Sequence, residues 1–349
     1  MNANKSGEFS QGRLLDKSGK DDTMLERLYT MYARWIIALA FVVTATFGIH
    51  SAHAEDTVRI VVGVDPVYTP WWIAQEKGFF TKYGVKAEIT QLGGGPDVGD
   101  ATMAGEADIG SSGSATLMPR IIRGNLVVLG NMATSPDALK MVALSNITSL
   151  DQLEGKKVGT VGGSTTDYLW LLLARKLNVP ESKFQLMSIP PPELVSSLDR
   201  GDIQAFFCWE PWPTKAVQIS GKDKVHILAN SGDVNYMLNF IVVANAKFAD
   251  TKPDLVAKVL AALRDAVDFQ NQNPAEATRI GAEANKLKPD LAAYIIHLYN
   301  FSVGIPPGLA DALKAEETWM RTSNRVKGDP VDWAKTINRS FLDRALVMK

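Results

Sequence analysis

Three short stretches have a composition suited to holding an anion: "LGGGPD" (92–97), "GSSGSAT" (110–116) and "VGGSTTD" (161–167). Each places small residues where a helix is expected to open, glycines in all three and Ser or Thr in the second and third. Glycine lets a ligand approach the backbone, and Ser or Thr at a helix start leaves N–H groups pointing outward, where the helix dipole favours negative charge. No Lys or Arg stands in these turns. That favours a weakly basic monoanion over a phosphate dianion, whose sites often add such cations. Each helix end supplies about 0.3–2 kcal/mol, whereas micromolar binding needs about 8 kcal/mol. Apolar packing must supply much of the rest, and aromatics lie near the turns: Tyr68, Trp71 and Trp72 in "PVYTPWW", and Trp209 and Trp212 in "CWEPW". Trp72 and Trp212 are expected to be core aromatics. The second motif also encloses one acid, Glu210, between tryptophans and prolines.

Signals for catalysis are few. Downstream of residue 54 the histidines are His226 and His297, each in an apolar run and neither with a second ligand at metal-binding spacing, so no metal and no cofactor is expected. The chain has no G-x-S-x-G elbow, P-loop or dinucleotide fingerprint. Its 37 basic and 38 acidic side chains nearly cancel without a basic cluster. Nucleic acid and an anionic membrane surface are therefore not expected partners, and charge points to a small ligand.

The elements that must position these turns read as α/β. The 349 residues, 46% of them hydrophobic, suffice for two domains. "TVRIVVGV" (57–64), "LVVLG" (126–130), "KKVGTV" (156–161), "FQLMSI" (184–189) and "IQAFFC" (203–208) are near-continuous apolar runs, as expected of parallel strands covered on both faces. One helix is expected from Pro70 to Tyr83, stopping at Gly84, and another opens at Pro253 with Val256, Val259, Leu260, Leu263 and Val267 on one stripe. "AGEADIG" (104–110) and "RGDIQAF" (200–206) echo each other: a helix ends at glycine, the chain turns on an acid, and an apolar strand begins. Two lobes built alike would produce that echo.

The first residues read as a leader. A polar segment with Arg27 and Arg34 precedes the apolar core "WIIALAFVVTATFGI" (35–49), and "SAHA" (51–54) puts Ala52 and Ala54 at the small-residue positions of a cleavage site. The core falls short of the roughly 20 residues a spanning helix needs. A signal peptide over 1–54, cleaved after Ala54, is expected. The single cysteine, Cys208, rules out an intramolecular disulfide and offers no lipid-anchored cysteine at the cleavage site.

Four collinear segments carry a resemblance: "TPWWIAQEKGFFTKYGV" (69–85), "GEADIGSSGSA" (105–115), "LEGKKVGTVGGSTTDY" (153–168) and "FFCWEPW" (206–212). Together they resemble the substrate-binding proteins of ABC importers for taurine, aliphatic sulfonates and nitrate. The resemblance runs from about Val58 to about Ala244 and more loosely beyond. It implies an α/β type II periplasmic-binding-protein fold, with two lobes joined by two crossovers and the ligand in the cleft. Lobe 1 would hold 55–141 plus 243–349, and lobe 2 would hold 142–242. The ligand loops would fall on Tyr68, Thr69 and Pro70, on Gly94 and Gly95, on Ser112, Gly113 and Ser114, and on Gly163, Ser164 and Thr165. Trp71 joins them as a nearby aromatic, and the Trp-acid-Pro motif falls on Trp209, Glu210 and Pro211. Glu210 would then stand at the carboxyl end of a strand, where open α/β sheets place ligand groups. There it faces an ammonium if the ligand carries one, as taurine does, or caps the next helix or steadies the hinge.

The function implied is capture of a small organic anion in the periplasm, taurine or alkanesulfonate-like, and delivery by a monomer to an ABC permease and its ATPase. Nitrate, a thiamine-pyrimidine precursor or an aromatic acid are alternative ligands. A pyrimidine-synthesis enzyme occurs on a related branch, but that branch relies on a cysteine-rich motif and an active histidine, which the matched loops here lack. If the leader is cleaved as expected, mass analysis of periplasmic protein will show Glu55 as the N-terminus. Membrane-bound chain that keeps residues 35–49 would refute it.

Overall fold

Strand β1 (Asp56–Val62) shows how the sequence builds the first sheet: Val58, Ile60 and Val62 are fully buried while Thr57 and Arg59 face outward at its start. The computed structural model describes residues 56–348, all within one unit, 55–349. β1 pairs in parallel with β2 (Val85–Gln91) and β3 (Ile109–Gly113). β4 (Leu126–Ser135) and β11 (Asn300–Gly304) complete one side, and the returning strand β10 (Leu238–Asn245) runs antiparallel between β3 and β4. The order is β11-β4-β10-β3-β1-β2.

A second sheet contains β5 (Leu139–Leu144), β6 (Lys157–Thr160), β7 (Gln185–Ser188), β8 (Ala205–Trp209) and β9 (Val225–Asn230), in the order β7-β6-β8-β5-β9. Both sheets share a plan, since β2-β1-β3-β10-β4 and β7-β6-β8-β5-β9 have the same sequence of parallel and antiparallel neighbours. The echo seen in the sequence marks corresponding corners. Gly105 and Gly201 each end a helix at φ 79°, in the left-handed region where glycine is strain-free, ahead of β3 and β8. The same backbone bond follows each: Asp108 N–H donates to Arg59 O, and Gln204 N–H donates to Lys157 O, both at 2.8 Å.

The chain changes sheet between Ser135 and Leu139 and returns between Asn230 and Leu238. The expected limits at 141/142 and 242/243 fall inside β5 and β10, which each lie whole in one sheet. Hydrogen bonding decides this: β5 pairs only with β8 and β9, and β10 only with β3 and β4. The crossovers are tied to each other: Ser231 N–H reaches Leu139 O at 2.9 Å and Gly232 N–H reaches Pro136 O at 2.7 Å.

Two other expectations are corrected. The apolar run of β4 is antiparallel to both neighbours, so burial on both faces does not by itself specify parallel pairing. Residues 70–83 form two helices, Thr69–Glu76 and Phe79–Lys82, because Gly78 at φ 73° turns the chain between them. The helix expected after Pro253 spans Pro253–Gln272 and buries its Val and Leu stripe. Replacing Trp170, which is fully buried against Phe184 and Phe207 with its indole N–H on Gly159 O at 3.1 Å, tests the second lobe. Trp170→Ala is expected to cost about 3–5 kcal/mol in denaturant unfolding.

Candidate functional site

A cavity of about 50 Å³ opens between the two sheets, several times the roughly 10–15 Å³ that one water needs. Its walls are the loops at the carboxyl ends of β1, β2, β3, β6 and β8, where α/β sheets expose ligand groups. Three helices begin there: Gly95–Ala104 after Gly94, Ser114–Ile122 after Gly113, and Thr165–Lys176 after Ser164. Each turns the positive end of its dipole, about half a charge, toward the cavity. Among the described residues the amides of Gly94 and Gly95 have no acceptor.

Of the residues read from sequence, Tyr68, Gly94, Gly95, Ser112, Gly113, Ser164, Thr165 and Trp209 line the cavity. Gly95 allows the Ser112 hydroxyl to approach, since a Cβ there would stand 2.2 Å from Ser112 Oγ. Tyr68 packs edge-on against Phe240 at 5.2 Å and, with Trp209, gives the cavity an apolar side.

Five residues lie off the cavity, each with another task. Thr69 is fully buried and donates to Pro66 O at 2.7 Å. Trp71 is core, stacked on Phe80. Ser114 Oγ donates to Glu316 Oε1 at 2.7 Å, and burial pushes the Glu316 carboxyl up to about 7 although Ser114 and Tyr236 both donate to it. Gly163 turns the loop at φ 74° and gives its N–H to Asp167 Oδ2.

Glu210 is the fifth, and the structure corrects its reading as a ligand-facing carboxylate. It is fully buried, accepts Lys140 Nζ at 2.7 Å and receives the Thr214 N–H at 3.2 Å, so it caps the following helix and pairs with a hinge lysine. Burial opposes the Lys140 charge, yet Glu210 and the Tyr294 hydroxyl outweigh it and hold the ammonium pKa above its ordinary value. Nothing in "CWEPW" signals this, because Lys140 is 70 residues away.

Thr116, Leu139, Leu238, Phe240, Tyr299 and Asp65 also line the cavity, and of these only Thr116 lies in a stretch singled out from the sequence. Asp65 had one signal: an acid just past an apolar strand and before Pro66, a capping position at a strand's carboxyl end. Thr116 joins the two lobes. Its Oγ1 lies 3.0 Å from Thr165 Oγ1 and accepts the Thr165 N–H at 2.9 Å. Gly113 makes room for that contact, since a Cβ there would meet Thr165 Oγ1 at 2.8 Å. Outside the cavity Arg325 reaches the other lobe at Glu181, 2.8 Å, an exposed pair worth about 0–1 kcal/mol. Among the described residues no cluster of His, Cys, Asp or Glu could hold a metal ion.

Two lobes of one plan, two crossovers and a cavity between strand ends define a type II periplasmic-binding-protein fold. Solved structures share it: the periplasmic aliphatic sulphonate binding protein SsuA from Escherichia coli superimposes with TM-score 0.70 at 20% identity over 81% of this chain and 92% of that one. The periplasmic nitrate-binding protein NrtA from Synechocystis PCC 6803 does so with TM-score 0.66 at 18% identity, over 84% and 88%. Residues 65–277 match the family described as NMT1/THI5 like, and the chain belongs to that family. The taurine-binding periplasmic protein of Escherichia coli (strain K12) is 24% identical over 90% of each chain.

Gly113→Ala is expected to hold the lobes apart, because its backbone, at φ −59°, accepts alanine while the added methyl collides with Thr165. Small-angle scattering of the unliganded variant will show a more open particle, and a profile identical to wild type would refute the contact's role. Glu210→Gln strands a buried ammonium and is expected to cost about 3–5 kcal/mol in urea unfolding. Adding Lys140→Met will recover much of that loss if the pair is structural.

Proposed function

We propose that the chain is a solute-binding protein that captures a small organic monoanion, taurine or alkanesulfonate-like, and delivers it to an ABC permease and its ATPase. The observation that carries this reading is the chemistry of the cavity. Backbone amides at helix starts and the hydroxyls of Ser112, Thr116, Ser164 and Thr165 face it, and no Lys or Arg lines it. Such a wall suits an anion whose charge is spread over several weakly basic oxygens, which accept many neutral hydrogen bonds and need no counter-cation. Tyr68, Trp209 and Phe240 offer apolar surface to a short organic tail. Family membership and the sulfonate-, taurine- and nitrate-binding proteins it resembles support the same reading.

Binding rather than catalysis fits the wall as well, since neither His nor Cys lines the cavity; Cys208 is fully buried behind it, its thiol pKa pushed well up by burial. Export through the 1–54 leader and action as a periplasmic monomer complete the proposal.

Thermal denaturation with taurine, ethanesulfonate, longer alkanesulfonates, nitrate, thiamine precursors and aromatic acids tests it. A true ligand at a hundred times its Kd will stabilise by about 2.7 kcal/mol. Its saturation will also make the particle more compact in small-angle scattering. Stabilisation by none of these anions would refute the proposal.

A further inference from the structure

Asp65 is the single charged side chain among the residues that line the cavity, and it is 5% exposed. Its Oδ1 accepts the Val67 N–H at 2.8 Å, which fixes the carboxyl group at the end of β1. Among the described residues no lysine, arginine or histidine stands within ion-pair distance of it. Glu210 behind it shows the contrast, because that acid has its own lysine. The groups that face Asp65 are the Tyr68 and Tyr299 phenols from the cavity wall, with the Cys208 thiol and the Glu210–Lys140 pair from the hinge side. None of them neutralises it, and the Tyr299 hydroxyl itself is buried without a partner.

A buried carboxylate needs a partner or a proton. We propose that Asp65 is a specificity-determining residue that pairs with the ammonium of a small zwitterion, whose sulfonate-like end rests on the Gly94 and Gly95 amides. This rests on the anion-capture reading above and narrows its substrate to anions that carry an amino group. Asp65, Gly94 and Gly95 all line this one small cavity, so a short molecule can reach both ends.

The empty site satisfies the acid differently. Burial, with Glu210 adding to it and the Val67 N–H countering part, pushes the Asp65 carboxyl up to about 8. Near neutral pH it therefore carries a proton, and pairing with an ammonium sends that proton to solvent: Asp65–COOH becomes Asp65–COO⁻ against the ligand's –NH₃⁺. Affinity for an amino-sulfonate accordingly rises with pH, by up to about tenfold per unit, and levels off above pH 8. An alkanesulfonate with no amino group binds beside the protonated acid. Its affinity is flat below pH 8 and falls above it, as the acid ionises next to an anion.

Calorimetric titration of the protein with taurine and with ethanesulfonate, from about pH 6 to about pH 9 and in buffers of different ionisation enthalpy, reads both signatures. Near pH 7 taurine is expected to release about one proton per molecule bound and ethanesulfonate none. Asp65→Asn, which keeps size and shape, is expected to weaken taurine by about tenfold to a hundredfold and abolish its pH slope, while ethanesulfonate changes by less than about threefold. No proton release by wild type, or equal weakening of both ligands in the variant, overturns the assignment. Taurine affinity that falls as pH rises does the same, by making Asp65 a protonated donor to the anion. Tight ethanesulfonate binding with taurine inert overturns the Asp65 proposal and leaves anion capture standing. If neither probe nor any other anion of the thermal screen binds, both fall.

Discussion

The lobes meet inside the cavity at one polar contact, Thr116 against Thr165, and the other site features arrange themselves around it. Thr165 is the first residue of its helix, so its N–H has no acceptor within that helix and takes one from the opposite lobe. Gly113 is glycine because a side chain would fill the space where the two hydroxyls touch. The loop behind Thr165 is held by its own side chains: Ser164 Oγ accepts the Thr166 N–H, Thr166 Oγ1 accepts the Val161 N–H, and Asp167 accepts from Gly163 and Thr160. The second lobe thus presents a rigid edge whose amides are already satisfied. Among the described residues, unpaired amides remain on the first lobe at Gly94 and Gly95.

Two buried acids near the hinge illustrate how partners, rather than residue type, decide a role. Glu210 has Lys140 and a helix amide, so its charge is spent within the protein and joins β5 to the turn after β8. Asp65 has one amide and no cation, so burial keeps it protonated while the cavity is empty. A buried acid held neutral only by its proton marks a conflict between burial and charge, and such perturbed groups recur at binding sites. Glu316 is a third case. It is tied by Ser114 and Tyr236 to the start of a cavity helix and to the crossover after β9, with one oxygen left unpartnered. Its raised pKa records the same conflict between burial and charge.

Local order in the sequence determined a good deal. The five apolar runs all became strands, four of them largely buried, while β7 at the sheet edge is mostly exposed. The glycine echo identified the repeated lobe, since a left-handed C-cap is a local requirement. The small-residue turns gave Gly94, Gly95, Ser112, Gly113, Ser164 and Thr165, all of which reached the cavity, because helix-start chemistry is carried by consecutive residues. Tyr68 and Trp209 came from aromatic composition beside the turns and from the motifs of the resemblance.

What only the tertiary structure decided depends on residues far apart in the chain. Strand β3, written "IGSSG", was read only at its apolar start, and its small polar remainder is strand because β1 and β10 pair with it. The sheet to which β5 and β10 belong follows from long-range ladders, and residue patterns within either strand do not reveal it. Glu210 stood out in its local sequence and proved to be paired with Lys140, while Asp65, inconspicuous before Pro66, became the one ionisable acid lining the cavity. Whether a carboxylate is available to a ligand is set by which cation the fold brings within about 3 Å of it, where even at an effective dielectric of about 20 the pair attracts by several kcal/mol. That distance is a property of packing, and a sequence lists the charges without it.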